Sequence, residues 1–214
     1  MPLTNRFSSL EDQHSDTPTV EQAFLVGDSI VRPLQETWKG WDKNGRHKSR
    51  KVLCRPGART NDIKRQGKNL RCQKRDLIIT HVGTNNLQKM ASEKLIDGME
   101  QLCETARAKT YSHIVIGLLP RDKDGRQLHD DKILYINRRL KAMSHAKGFN
   151  FLDVYWAFNE KPHLFKDGLH LNGEGAGILG TSVSIATQVH IWTKRSQPST
   201  SGNGEGIPPP TEAP

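Results

Sequence analysis

Apolar residues in this chain gather in short unbroken runs. Residues 23–26 (AFLV), 51–54 (KVLC), 77–82 (LIITHV), 114–119 (IVIGLL) and 149–154 (FNFLDV) read as five strands. A strand with one wet face alternates apolar and polar positions, whereas a parallel strand covered on both faces reads as continuous. The pattern therefore predicts a parallel sheet. The first three runs end in polar, glycine-bearing turns, Gly27-Asp28-Ser29, Arg55-Pro56-Gly57 and Gly83-Thr84-Asn85-Asn86, and Pro120 stops the fourth.

Between the runs the period changes. Leu95, Met99, Leu102 and Ala106 recur at helical spacing, as do Ile133, Ile136, Leu140 and Met143, with Gly148 marking the end of the second pattern. Residues 174–192, small and apolar, read as a final helix packed closely enough to need glycine. Strand and helix in alternation predict a doubly wound, three-layer α/β/α sandwich on a five-stranded parallel sheet. No repeat and no sustained heptad is evident.

The core so predicted spans residues 21–193. Residues 1–20 are polar, and residues 194–214 are rich in Pro, Gly, Ser and Thr, so both ends have little to bury and read as disordered segments or linkers. No basic head followed by an apolar run opens the sequence, and no apolar segment approaches about 18 residues. Cys54, Cys72 and Cys103 are odd in number and far apart, which suggests neither a disulfide framework nor a zinc site. A reducing, cytoplasmic setting is the expectation.

The net charge of +9 is unevenly placed. In residues 39–75, fourteen Lys and Arg stand against Asp42 and Asp62, a local +12 that exceeds the charge of the whole chain. Lys48, Arg50, Lys51, Arg55, Arg59, Lys64, Arg65 and Lys68 are candidates to attract RNA, single-stranded nucleic acid or an anionic membrane surface. A solvated, solubilising surface explains such a run equally well. Trp38 and Trp41 flank Lys39 within it and could stack on bases or pack in a lid.

In an open parallel sheet, ligands bind beyond the carboxyl ends of the strands. The three glycine-bearing turns, with Asp167-Gly168-Leu169-His170 before the last helix, can converge on that rim. Acyl transfer needs such a set. A serine hydroxyl attacks only when a neighbouring base takes its proton, and the base needs a third group to hold its tautomer. Ser29 follows a strand directly, so its N–H can face developing negative charge at the start of a helical segment. Asp167 and His170, three residues apart, can meet across one turn. Gly57 and Asn85 would add a backbone N–H and an amide N–H for the oxyanion.

VGDSI (26–30), PGAR (56–59), VGTNN (82–86) and DGLHLN (167–172) resemble, in order and spacing, the four blocks of the SGNH (GDSL-like) hydrolase superfamily. The resemblance implies Ser29 as nucleophile, Asp167 and His170 as its partners, Gly57 and Asn85 as oxyanion donors with the Ser29 N–H, a flavodoxin-like strand order, and no cofactor or metal. Ile30 replaces the leucine of the family pattern. Asn86 stands where many members carry Asp, which puts one local hydrogen bond in question. In detail the blocks are similar to those of the esterase domain in the first-open-reading-frame protein of vertebrate LINE-type retrotransposons. That likeness implies nucleic-acid association, a ribonucleoprotein context and self-association through segments outside this chain.

A Gly-Asp-Ser alone is more often an ordinary strand-end turn, and the three companion blocks in register reverse that reading. Asp28 fits a bracing role better than catalysis, and His81 a structural one. His163 lacks the companions of a zinc site. Gly173-Glu174-Gly175-Ala176-Gly177 suits close helix packing rather than a nucleotide loop, and the Gly57 to Lys68 spacing is wrong for an NTPase. The loop 121–128 is a candidate to shape an acyl pocket. The sequence thus points to an esterase acting on acetyl or lipid-type esters, with two alternatives: a nucleic-acid-binding or assembly module on the same scaffold, and an O-acyltransferase using the same residues.

Overall fold

The computed structural model describes residues 22–38, 49–123, 126–127 and 129–195. In chain order its strands are β1 (Gln22–Gly27), β2 (Ser49–Cys54), β3 (Leu77–His81), β4 (Ser112–Ile116), β5 (Asp122–Lys123), β6 (Arg126–Gln127) and β7 (Asn150–Leu152). The helices are α1 (Leu34–Thr37), α2 (Thr60–Asn69), α3 (Ser92–Lys109), α4 (Asp130–Lys147), α5 (Tyr155–Phe158) and α6 (Gly173–Arg195). Five strands form one parallel sheet in the order β2-β1-β3-β4-β7, the doubly wound flavodoxin-like order, so the fold expectation holds.

Successive side chains of a strand point to opposite faces, and the core divides accordingly. Ala23, Leu25, Leu77, Ile79, Ile114 and Ile116 face a cluster completed by Leu34, Leu179 and Val183 of α1 and α6. Phe24, Val26 and Val115 face a second cluster with Ile63 of α2, Leu95, Met99 and Leu102 of α3, and Ile133, Ile136 and Leu140 of α4. Both faces are covered, which is why the apolar runs do not alternate.

Boundaries differ from the sequence reading where turn geometry overrides hydrophobicity. Strand β4 ends at Ile116 because buried Asn137 takes over the next backbone groups, accepting from Leu118 N at 2.8 Å and donating to Leu118 O at 2.9 Å. Strand β7 keeps only three residues of the predicted run. Helix α6 continues to Arg195, past the predicted core boundary at 193. The loop after β4 contains the antiparallel pair β5–β6. Gly148 caps α4 in the left-handed region at φ 68°. Of the glycines opening α6, Gly175 packs against the Leu164 carbonyl with no room for a Cβ, so close helix packing is their use at that position.

Leu25 and Ile79 are fully buried between the sheet and its helices. Leu25→Ala or Ile79→Ala should each cost about 2–5 kcal/mol, the usual range for a buried aliphatic truncation that leaves a cavity. Urea denaturation, with unchanged slope and a lowered midpoint, is the check.

Candidate functional site

Parallel register sets the site. Gly27, the last residue of β1, pairs with Cys54 of β2 and His81 of β3, so the loops after these strands leave the sheet at one level. A Cβ on Gly27 would lie 2.5 Å from the His81 carbonyl oxygen, so only glycine permits this approach. The chain then turns: Asp28 N donates to His81 O at 3.3 Å, and the Asp28 carboxylate accepts from Ile30 N at 3.0 Å. Ser29 heads a single 3-10 turn (Ser29–Val31), followed by Pro33 and the four-residue α1. This is shorter than the helical segment expected after Ser29. Proline supplies no N–H to continue a helix through this point.

From the far end of the sheet comes the second part. Phe165 and Leu171, both buried, form an antiparallel bridge, and Lys166 N donates to His170 O at 2.7 Å. This pins a tight loop holding Asp167, Gly168 (φ 74°), Leu169 and His170. One oxygen of Asp167 accepts from Leu169 N (3.1 Å) and His170 N (2.7 Å), and the other meets His170 Nδ1 at 2.8 Å. His170 Nε2 reaches Ser29 Oγ at 3.0 Å. The backbone N–H and imidazole of His170 hold the Asp167 carboxyl at about 2, well below the usual carboxylate range.

The third part is the pair of loops after β2 and β3. Gly57 adopts φ 71°, a left-handed conformation that favours glycine, with open space where a side chain would be. Arg55 N donates to Gly27 O at 2.8 Å, tying its loop to the Ser29 turn. Asn85 Nδ2 donates to Ala58 O at 3.0 Å, which leaves the second amide hydrogen for a ligand. Asn86 Oδ1 accepts from Thr60 N at 3.2 Å, holding the first turn of α2. No sequence signal marked Ala58 as the partner of Asn85 or Thr60 as the partner of Asn86.

The basic candidates fall into distinct settings. Lys51, Arg55, Arg59, Arg65 and Lys68 are exposed, while Arg50 and Lys64 are half-buried. Arg55 lies 3.8 Å from Asp62, Arg50 lies over the Trp38 ring at 5.0 Å, and Lys64 donates to Gln101. Trp38 is buried, so its ring packs rather than offering a face for base stacking. Lys48, Lys39 and Trp41 lie outside the described residues. Of the histidines set aside, His81 is fully buried and His163 exposed. Among the described residues no group of three His, Cys, Asp or Glu could hold a metal ion, and no helix is long and apolar enough to cross a membrane.

A hydroxyl, an imidazole and a carboxylate in series at the carboxyl rim of a parallel sheet make an arrangement able to activate serine for acyl transfer. The chain belongs to the GDSL-like Lipase/Acylhydrolase family, whose model matches residues 25–178. A GDSL-like lipase from Bacteroides thetaiotaomicron is similar in fold, with a TM-score of 0.63 and 20% identity over 79% of this chain and 88% of that one. The catalytic domain of peptidoglycan O-acetyltransferase A from Streptococcus pneumoniae has a TM-score of 0.61 and 12% identity over 80% of this chain and 95% of that one. The esterase domain of the zebrafish ZfL2-1 retrotransposon ORF1 protein is 29% identical over 78% of this chain and 99% of that one, with a TM-score of 0.41. Among curated protein sequences, none matches the chain significantly.

The depressed Asp167 carboxyl carries a pH signature. A group whose folded pKa lies below its unfolded value adds stability above the unfolded value and loses it as pH falls through the folded one. Acid titration of stability should therefore show a component lost between about pH 4 and the Asp167 value of about 2. Asp167→Asn should remove that component and leave the rest of the acid limb, as read by circular dichroism.

Proposed function

We propose that the protein is a serine esterase hydrolysing acetyl or lipid-type carboxylic esters through a covalent acyl-enzyme. The observation that carries this reading is the continuous hydrogen-bonded series from Asp167 through His170 to Ser29 Oγ. His170 Nε2 takes the Ser29 proton as Oγ attacks the ester carbonyl. The oxyanion is held by the N–H groups of Ser29 and Gly57 and by the free amide hydrogen of Asn85. The intermediate collapses as the imidazolium returns its proton to the departing alcohol, leaving an acyl-Ser29 ester. Water, deprotonated by the same imidazole, attacks that ester, and Ser29 regains its proton as the acid leaves. Asp167 holds the productive tautomer and stabilises the imidazolium throughout.

Two further readings stand beside this one, the first on the same residues and the second on the basic surface. With a hydroxyl in place of water, the second half-reaction becomes O-acyl transfer. The exposed cations Lys51, Arg55, Arg59, Arg65 and Lys68 favour nucleic-acid association, with a membrane surface as the rival partner. The form of the four blocks favours a retrotransposon-encoded, cytoplasmic ribonucleoprotein context in which segments outside this chain self-associate.

Hydrolysis of p-nitrophenyl acetate, butyrate and a long-chain ester tests the reading. Activity on at least one ester should vanish in Ser29→Ala, and Asn85→Ala should lose about 10²–10³ in turnover while remaining folded. Wild-type rates equal to those of Ser29→Ala on every ester would remove the catalytic reading. Salt-dependent nucleic-acid binding would then take its place.

A further inference from the structure

Beneath Ser29 lies a pair of ionisable side chains that the proposed reaction does not use. Asp28 and His81 are both fully buried, and Asp28 Oδ1 stands 3.4 Å from His81 Nδ1. The second Asp28 oxygen and both His81 ring nitrogens have no hydrogen-bond partner. Asp28 cannot simply be dispensed with. Its Oδ1 accepts the Ile30 N–H and so shapes the turn that aims Ser29. Its backbone N–H and carbonyl are also engaged, the first by His81 O and the second by the Cys54 thiol at 3.2 Å.

A carboxylate removed from water is costly unless a cation or a proton compensates it. His81 is the titratable side chain in ion-pair distance of Asp28 among the described residues. The same residue receives Asp28 N–H on its carbonyl and blocks any side chain at Gly27. It thus meets the nucleophile turn by backbone and side chain together.

We infer that His81 is a positioning residue for Ser29, acting through Asp28, whose buried carboxylate it faces at ion-pair distance. The inference rests on the esterase reading for its activity readout, but the pairing has a readout of its own. If compensation is the role, loss of His81 harms the turn because it leaves Asp28 as a lone buried charge. Asparagine at position 28 keeps an oxygen for Ile30 N–H and needs no compensation. It should therefore repair the damage done by removing the histidine.

The test is a cycle of His81→Phe, Asp28→Asn and the double variant, with Ser29→Ala alongside, read by kcat, KM and melting temperature. His81→Phe should lower kcat by about 10²-fold with KM little changed, the scale expected when a nucleophile is misplaced by about 1 Å. The double variant should recover most of that loss and melt above His81→Phe. Additive losses, with no recovery in kcat or in melting temperature, would overturn the pairing and leave His81 a packing residue. If His81→Phe fails to fold, a folded double variant upholds the pairing and an unfolded one overturns it. Should the wild type lack Ser29-dependent hydrolysis, the esterase reading falls while the melting temperatures still decide the pairing.

Discussion

The close approach of β1 to β3 at Gly27 is the constraint on which the rest of the site depends. A parallel register brings Gly27 beside His81, and the absence of a side chain lets the His81 carbonyl receive Asp28 N–H. That bond ends the strand and starts the turn that presents Ser29. On the other side, Arg55 N donates to the Gly27 carbonyl, so the β2 loop is fixed to the same residue. Any side chain at position 27 would push β1 from β3 and disturb both loops at once.

The two halves of the site are held by different physics. The Ser29 turn and the Gly57 and Asn85 loops are positioned by long-range register, between strands that the chain visits at wide intervals. The Asp167–His170 loop is mostly local. Its bonds run between neighbours, and its anchor is the bridge between buried Phe165 and Leu171. A locally bonded Asp167–His170 pair is thus brought against a turn that only the completed sheet can form. The hydrogen bond between Ser29 and His170, across 141 residues of chain, reports that both halves are in place.

What could be read in the sequence follows the same division. The strands, α3 and α4 were legible because a sheet buried on both faces writes continuous apolar runs, and helices of one buried stripe write a 3.6 period; the sheet order came only from the resemblance of the four blocks. Asp167 and His170 were legible as partners because three residues separate them. The bonds from Asn85 to Ala58, from Asn86 to Thr60 and from Asp28 to His81 were not. Each joins residues that become neighbours only through strand pairing, and none leaves a periodic or spacing signal. The end of β4 was hidden for the same reason, since Asn137 lies on α4, in a stretch whose helical pattern gives no hint of a strand partner. The single turn after Ser29 was also missed, although Pro33 was its cue.

Exposure of the acid–base pair bears on how the site would work. The side chains of His170 and Asp167 are 41% and 55% exposed, so their alignment owes little to burial. Two backbone N–H groups fix the Asp167 carboxylate, and that carboxylate fixes the imidazole, even in contact with water. Water screens charge, so oxyanion donors act weakly at an open rim and strongly at a covered one. An acyl or alcohol group lying over His170 would itself displace that water. The electrostatic part of catalysis would then grow with the area of substrate covering the rim. On the proposed esterase reading, a longer acyl chain that covers the imidazole should raise turnover as well as affinity, because the charge it helps to stabilise develops only in the transition state.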